Sequence, residues 1–283
     1  MKIISSVSEM QIFAEELRRS GKRIGLVPTM GFLHEGHLSL VRRAREISDA
    51  VVVSIFVNPA QFAPGEDFER YPRDIERDKS LLQSEGVAVL FTPGSGEMYP
   101  QRFSTYIIPE GISSVLEGKF RSTHFRGVAT VVGKLFLIVQ PHAAVFGQKD
   151  AQQSIIIKQM VRDLNFNLQI IVAPIVREQD GLALSSRNVY LSPEERNDAP
   201  ILFQALQKAE ALIHTGETDA AAIIHEVEKT IRGKKTAAID YVAVNDAESL
   251  TEMTTTQTGR PVLISLAVRF GKTRLIDNII VQQ

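Results

Sequence analysis

The sequence contains no cysteine among its 283 residues. This absence excludes disulfide bonds, cysteine nucleophiles and zinc sites built on thiolates, and it is compatible with a reducing compartment. Positive and negative residues are also nearly balanced, because 32 Lys and Arg against 33 Asp and Glu give a formal net charge of −1. No overall field therefore favours nucleic acid or an anionic membrane, and we expect neither as a partner.

Long apolar runs are missing as well. A membrane-spanning helix needs about 20 apolar residues, whereas the longest candidate, Val131–Val139, is interrupted by Gly133 and Lys134. The first residues, Met1 to Ser6, lack the apolar core and the cleavage site of a signal peptide. We therefore expect a cytoplasmic protein.

Strand-like and helix-like segments alternate over residues 1–175. Ala50–Val57 is continuously apolar and β-branched, which is typical of a parallel strand covered on both faces. The alternation predicts an α/β domain with a Rossmann-like, doubly wound parallel sheet. From 176 to 283 the pattern changes to helices followed by strands, which predicts a smaller C-terminal α+β domain.

A loop with two histidines follows the first buried strand, predicted at Ile24–Val27. His34 and His37 are bracketed by glycines and precede a helix predicted at Leu38–Ser48. Residues three apart share one helical face, and a helix start attracts anions, so this loop is a candidate polyphosphate site. Two alternatives are histidines that serve only packing and a zinc site. The zinc site is disfavoured because the four-residue metalloprotease spacing is absent.

Other predicted loops also carry polar side chains. A proline-containing loop after Ala50–Val57 holds Gln61, whose amide can both donate and accept hydrogen bonds. After a strand at Ala143–Gly147 come Lys149, which suits phosphate, and Asp150, which suits a sugar hydroxyl. The alternative for Gln61 is an ordinary loop amide without a ligand, and the alternative for Lys149 and Asp150 is an exposed ion pair.

A serine–serine–arginine segment, Ser185 to Arg187, offers hydroxyls and a guanidinium for phosphate near the predicted domain boundary. The chain shows neither a Gly-x-Ser-x-Gly elbow nor a P-loop. Cations and hydroxyls without a candidate nucleophile suit nucleotidyl transfer, which depends on alignment and charge neutralisation and usually uses Mg²⁺.

The chain resembles the pantoate–β-alanine ligase (pantothenate synthetase) family, within the wider His-x-Gly-His nucleotidylyltransferases. The motifs that carry the resemblance occur in order along nearly the whole chain. They are Pro-Thr-Met-Gly-x-Leu-His-x-Gly-His at 28–37, Ser-Ile-Phe-Val-Asn-Pro-x-Gln-Phe at 54–62, Gly-Glu-Asp-Phe-x-x-Tyr-Pro-Arg at 65–73, Phe-Arg-Gly-Val-Ala-Thr-Val-Val at 125–132, Phe-Gly-Gln-Lys-Asp-x-Gln-Gln at 146–153 and Arg-Glu-x-Asp-Gly-Leu-Ala-Leu-Ser-Ser-Arg-Asn at 177–188.

The resemblance implies a two-step ligase of pantothenate biosynthesis, on the route to coenzyme A. Pantoate attacks the α-phosphate of ATP to give pantoyl-adenylate and pyrophosphate, and β-alanine then displaces AMP. It further implies Mg²⁺ bound with ATP, no metal ligands on the chain, a homodimer and a C-terminal domain that acts as a lid.

Residue roles also follow from the resemblance. His37 is the implied proton donor, His34 lies beside it on the phosphates, and Lys149 and Arg187 complete the catalytic set. Gln61 and Gln153 hold pantoate, with Gln61 also near β-alanine. The implied ATP site comprises Met30, Gly31, His34, His37, Gly147, Gln148, Lys149, Asp150, Val176, Leu184, Ser185, Ser186 and Arg187.

The chain departs from the family pattern at a few positions. Ser122 and Thr123 follow Arg121 where a Pro-Gly pair is common, Leu137 replaces an Asn, His142 replaces an Asp and Leu184 replaces a Met. Two other functions remain open: another nucleotidylyltransferase acting on a small acid or phosphate ester, and a nucleotide-binding protein without catalysis.

Overall fold

The computed structural model describes residues 1–63 and 65–282. The chain divides into two compact units. The first comprises Met1–Gly147 and Ile156–Pro174; the second comprises Gln148–Ile155 and the chain from Ile175 onward. The division differs from the predicted domains 1–175 and 176–283, because Gln148–Ile155 groups with the second unit.

A six-stranded sheet forms the centre of the first unit, and every recorded strand pair in it is parallel. Its order is β1-β4-β3-β2-β5-β6. β2 and β5 are neighbours, yet the chain continues from β2 to β3 on one side and from β5 to β6 on the other. This reversal is the topological switch point at which such sheets bind ligands. The strands are β1 (Lys2–Ile4), β2 (Ile24–Thr29), β3 (Ala50–Ile55), β4 (Val89–Phe91), β5 (Ala143–Gly147) and β6 (Gln169–Ala173).

Helices cover both faces of this sheet. They are α1 (Val7–Arg19), α2 (Glu35–Ile47), α3 (Ile75–Ser84), α4 (Ser95–Met98), α5 (Glu117–Phe120), α6 (His124–Val139) and α7 (Ala151–Asp163), whose first residues group with the second unit. Successive strand residues point to opposite faces, so Leu26 packs in the cluster with α1 and α6, whereas Val27 packs with α2. The prediction of a doubly wound α/β fold is confirmed.

The second unit is a smaller α+β structure. Its helices are α8 (Pro193–Asp198), α9 (Ile201–His214) and α10 (Ala220–Ile231), and its strands are β7 (Ala237–Asp246), β8 (Val262–Phe270) and β9 (Thr273–Val281). The strands pair in antiparallel fashion in the order β7-β8-β9. α8 begins with a capping box, in which Ser192 and Glu195 each bond to the other's main chain.

Some elements differ from the sequence-based expectation. β1 was not predicted, and α2 begins at Glu35 rather than at Leu38 because His34 caps it. A 3₁₀ turn, Pro59–Gln61, lies within the predicted loop after β3. In the described part of the chain no helix is long and apolar enough to cross a membrane.

Candidate functional site

The loop between β2 and α2 is held by its main chain and by one buried carboxylate. Gly31 has a φ of +85°, and a Cβ there would lie 3.0 Å from Ile55 Cγ2 and 3.1 Å from Asp78 Oδ2, so this position requires glycine. The Asp78 carboxylate accepts the main-chain N–H groups of Phe32 and Leu33, both at 2.8 Å. Asp78 of α3 therefore fixes the course of the chain just before the histidine pair.

Burial raises the pKa of Asp78 above its usual value, and the hydrogen bonds from Leu33 and Phe32 oppose that rise. Asp78 is only 1% exposed. A carboxylate removed from water in this way needs full hydrogen bonding, which the two N–H groups supply. The sequence did not single out Asp78. A signal was available, however, because Asp78 lies four residues before Leu82 and therefore shares the buried face of α3 with it.

The two histidines interlock at the start of α2. His34 is the N-cap residue, and its Nδ1 accepts the N–H of Gly36 at 3.2 Å. The Nδ1 of His37 accepts the N–H of His34 at 3.3 Å. The rings lie 4.1 Å apart, centroid to centroid. Because both Nδ1 atoms accept a hydrogen bond, a neutral ring at either position carries its proton on Nε2.

Gln61 lies in the turn that follows the neighbouring strand. β2 and β3 pair up to Thr29 and Ile55, so the loops after them leave the same edge of the sheet. Gln61 is 8% exposed, and its Oε1 accepts a hydrogen bond of 2.8 Å from Asn58 Nδ2. This bond orients the amide and leaves the Nε2 group of Gln61 as the donating end.

Asn58 is itself fully engaged. It also donates to the Gly127 carbonyl at 3.1 Å, and its Oδ1 accepts from Ala60 N at 3.2 Å and from the Tyr99 hydroxyl at 2.7 Å. Burial raises the pKa of Tyr99 to about 12, so the phenol stays protonated and donates. Asn58 and Tyr99 are functional supports that the sequence analysis did not single out.

The main chain of Gln61 is held from α6 and the segment before it. Its carbonyl is 3.2 Å from Arg121 Nη2 and 3.0 Å from His124 Nδ1. Arg121 also forms a bidentate pair with Glu66, at 2.8 Å for each bond. Burial acts to raise the pKa of Glu66, but Arg121 outweighs it and the pKa lies below its usual value. The departure at 122–123 thus lies beside residues that position Gln61.

In the second unit, Lys149 lies in a 3₁₀ turn, Gln148–Asp150. Its Nζ is 3.8 Å from Asp150 Oδ1, and the two side chains are 21% and 49% exposed. Asn278 of β9 donates to the carbonyls of Gln148 and Lys149, each at 3.0 Å. The turn is therefore anchored to the C-terminal sheet through its main chain.

A short hairpin carries the serine–serine–arginine segment. Leu184 N donates to the Val176 carbonyl at 3.0 Å, and Arg177 pairs with Ala183 in an antiparallel bridge. Ser185 then caps the 3₁₀ turn Ser186–Tyr190 by accepting the N–H of Arg187 at 3.3 Å. This brings the predicted residues from Val176 to Arg187 into one local structure.

The predicted site residues fall into the two units as follows. The first unit contains Met30, Gly31, His34, His37, Gln61 and Gly147, and the second contains Gln148, Lys149, Asp150, Gln153, Val176, Leu184, Ser185, Ser186 and Arg187. Gly147 ends β5 beside α2, where a Cβ would lie 3.9 Å from Leu40 Cδ2. Among the described residues no cluster of three or more His, Asp or Glu side chains could hold a metal ion.

Two of the departures lie elsewhere. His142 is at the start of β5, and its Nδ1 accepts the N–H of Ile24 at 2.9 Å at the opposite end of the strands. An aspartate could accept the same bond, so the exchange keeps the interaction. Leu137 is 61% exposed on α6 and lies away from Gln61 along the helix.

Comparison with known proteins shows which sequences and solved structures the chain is similar to. The sequence profile of the family described as Pantoate-beta-alanine ligase matches residues 2–280. A relative named pantothenate synthetase, from Acetivibrio thermocellus, is 56% identical over 282 residues and covers 100% of both chains.

Solved structures are similar over the same length. The pantothenate synthetase of Thermus thermophilus is 47% identical, with a TM-score of 0.93 and 100% of both chains covered. The pantoate–β-alanine ligase of Francisella tularensis is 35% identical, with a TM-score of 0.81, covering 99% of this chain and 97% of that one. The Francisella structure is described as complexed with beta-gamma ATP and β-alanine.

Proposed function

The chain belongs to the pantoate–β-alanine ligase family, and from this premise we propose that it condenses pantoate and β-alanine to pantothenate with ATP. The family match over residues 2–280 supports this proposal. The complex of the Francisella relative with an ATP compound and β-alanine supports the same substrates here. The resemblance found in the sequence is confirmed at the level of the family.

The observation that carries the proposal is the interlocked histidine pair at the start of α2. Main-chain N–H groups bond to Nδ1 of His34 and of His37, so a neutral ring at either position carries its proton on Nε2, the donor that we assign to the phosphates. The helix start adds the positive end of its dipole. This arrangement suits the phosphates of ATP, with the Nε2–H groups of His37 and His34 donating hydrogen bonds to the negative charge that develops as pyrophosphate leaves.

In the first step we propose that a pantoate carboxylate oxygen attacks the α-phosphorus of ATP. The bond from the α-phosphorus to the bridging oxygen breaks, and pyrophosphate takes the electron pair. The Nε2 group of Gln61 donates to pantoate, and Asn58 keeps that group oriented. Gln153 would provide a further amide for pantoate.

We assign further residues that the resemblance implies to the neutralisation of charge in the same step. Lys149 and Arg187 bind the phosphates, because a fixed cation lowers the energy of the transition state most where negative charge develops. The hydroxyls of Ser185 and Ser186 add donors, Asp150 accepts from the ribose, and Val176 contacts the adenine. The resemblance assigns Met30, Gly31, Gly147, Gln148 and Leu184 to the nucleotide as well.

In the second step the neutral amine of β-alanine attacks the carbonyl carbon of pantoyl-adenylate. AMP leaves with the electron pair of the acyl–oxygen bond, and the new amide nitrogen loses a proton. Neither step needs a covalent bond to the enzyme, and this agrees with a chain that has no cysteine. A neutral amide such as Gln61 suits a small hydroxy acid better than a phosphorylated acceptor.

We propose that Mg²⁺ arrives with ATP as part of the substrate. Mg²⁺ usually keeps several waters and binds through the nucleotide phosphates rather than in a cage of protein ligands. A homodimer and a cytoplasmic location stay predictions from the sequence.

The test is release of AMP from ATP by the purified protein with Mg²⁺ and pantoate, with and without β-alanine. We expect AMP release that requires β-alanine, and His37→Ala should lower turnover by about 10²–10³-fold, the range for losing one hydrogen-bond donor to a developing anion. No AMP with both substrates would refute the function. A stable nucleotidylated product would indicate a different nucleotidylyltransferase, and wild-type turnover in His37→Ala would remove His37 from the mechanism.

A further inference from the structure

Two adjacent polar side chains are buried in the last strand of the second unit. Asp277 and Asn278 are 2% and 3% exposed within β9, a strand that is otherwise mainly apolar. Polar groups buried at this depth must find hydrogen-bond partners. The partners of these two residues lie in the two segments that carry the predicted phosphate-binding side chains.

Asn278 is bonded to the turn that holds Lys149. Both hydrogens of its Nδ2 are used, one on the Gln148 carbonyl and one on the Lys149 carbonyl, each at 3.0 Å. Its Oδ1 lies 3.4 Å from Gln148 Nε2. The carbonyls of two consecutive residues are thus fixed, and the backbone from which the Lys149 side chain extends is fixed with them.

Asp277 is bonded to the hairpin that leads to Arg187. Its two oxygens accept from Arg177 Nη1 at 2.6 Å and from Nη2 at 2.9 Å. The same guanidinium donates to the Gly181 carbonyl at 3.1 Å and lies 3.8 Å from the centre of the Phe203 ring. Arg177 lies at the start of this hairpin, so the bonds from Asp277 of β9 fix the first half of the hairpin.

The two anchors are themselves joined. The N–H of Asn278 donates to Asp277 Oδ1 at 2.8 Å. One dipeptide therefore bonds to the Lys149 turn on one side and to the Arg177 hairpin on the other. A buried ion pair is weak evidence for stability, because its desolvation offsets much of its attraction. Its use here is better explained by the fixed geometry that it gives to the two segments.

We propose that Asp277 and Asn278 are positioning residues, which hold Lys149 and the Arg187 hairpin in fixed relation so that both meet the phosphates of ATP. This inference rests on the proposed function for the role of ATP. Neither side chain touches the substrate. Asn278 acts on Lys149 through the two carbonyls, and Asp277 acts through Arg177.

The first test is Asn278→Asp, with Asn245→Asp as the matched control. The acid keeps the size of the side chain but replaces the donor by an oxygen that faces two carbonyl oxygens. Asn245 is also a buried asparagine of the same sheet, 3% exposed, and donates to the Leu250 carbonyl at 2.9 Å. Both variants lose a buried hydrogen bond, but only Asn278→Asp changes the Lys149 turn.

We expect Asn278→Asp to lower kcat/KM for ATP by about tenfold or more, since buried carbonyls lose their donor, while KM for β-alanine stays within about twofold. Asn245→Asp should lower the melting temperature with kcat/KM for ATP unchanged. An equal fall of kcat/KM in both variants, or no fall in Asn278→Asp, would overturn the proposal. If Asn278→Asp does not fold, Asn278→Ser is judged by the same criteria.

A second measurement does not depend on activity. Lysine acetylation, followed by mass spectrometry, reports the accessibility of Lys149, whose side chain is 21% exposed. We expect Lys149 to react severalfold faster in Asn278→Asp than in the wild type, and Lys208 on α9 to react at the same rate in both. An unchanged rate at Lys149 would overturn the positioning role. If the wild-type protein releases no AMP, the proposed function is refuted. The acetylation rates would still test whether Asn278 positions Lys149.

Discussion

Gly127→Ala is expected to damage pantoate binding although residue 127 touches no substrate. A Cβ at this position of α6 would lie 2.2 Å from the Ala60 carbonyl oxygen and 2.7 Å from Gln61 N. Non-bonded carbon contacts are optimal at about 3.5–4.0 Å, so the helix and the turn must separate by roughly 1 Å. The neighbours are main-chain atoms, which cannot rotate away as a side chain can.

Two effects oppose each other in the stability of this variant. Replacing glycine by alanine inside a helix ordinarily stabilises a protein by about 1 kcal/mol. Overpacking of a tight contact costs about 1–3 kcal/mol, and separation would also stretch the 3.1 Å bond from Asn58 to the Gly127 carbonyl. We expect the clash to win, with the melting temperature falling by roughly 2–4 °C for each kcal/mol lost.

The catalytic effect should be larger than the effect on stability. A displacement of about 1 Å in a positioned group can cost about a hundredfold in rate. We therefore expect kcat/KM for pantoate to fall by about ten- to a hundredfold, measured as β-alanine-dependent AMP release at varied pantoate. The fall reflects displacement of Gln61, whose main chain lies against the new methyl group.

Gly133→Ala is the matched control in the same helix. A Cβ there would meet Ile107 Cδ1 at 2.4 Å, but this atom is the free end of a flexible side chain that can change rotamer. We expect near wild-type kinetics for this variant. The reasoning is refuted if Gly127→Ala has the same KM for pantoate as Gly133→Ala and melts no lower.

Two further predictions concern buried groups of the first unit. Asp78→Asn replaces one acceptor by an amino group, so the N–H of Phe32 or of Leu33 loses its partner. The free energy of unfolding should fall by about 1–3 kcal/mol, and KM for ATP should rise. An unchanged melting temperature with unchanged kinetics would contradict the role of Asp78 in fixing this loop. Burial and two nearby arginines lower the pKa of His142 below its usual 6.5, so the unfolded chain binds a proton at a higher pH than the folded chain does. The stability from the bond to Ile24 N–H is therefore present above about pH 6.5 and is lost as the pH falls below it. His142→Asn accepts the same bond without titrating, so its melting temperature should vary less between about pH 5 and 7 than that of the wild type.

Much of the first unit could be predicted because its signals are local. α6 and β5 have the predicted bounds, since a sixteen-residue apolar helix and a five-residue apolar strand are plain in the sequence. β1 was missed because three residues, of which only Ile4 is buried, give no periodic signal. The start of α2 was placed too late because histidine is not among the usual N-cap residues.

The sequence offered candidate side chains for the site, which stay predictions, but it did not indicate the buried groups that support them. Lys149 is a candidate because of its place after a strand, since the carboxyl ends of parallel strands meet at one edge. Asn278 donates to the carbonyl of Lys149 from 129 residues further along the chain. No local pattern shows such a partner, since it depends on which strand of the second unit packs beside the turn.

The supports nevertheless share a signature that a sequence can show. Asn58, Asp78 and Asn278 are each buried, at 1%, 1% and 3% exposure, and each bonds to main-chain groups of a segment that carries predicted site residues. A polar side chain in an apolar setting is costly unless it is fully bonded, and main-chain groups of a loop are the ones in need of partners. A polar residue that interrupts the buried face of a helix or strand is therefore a reasonable first candidate for the group that fixes a nearby functional loop. In this chain Asp78, Asp277 and Asn278 lie within regular elements and meet this criterion.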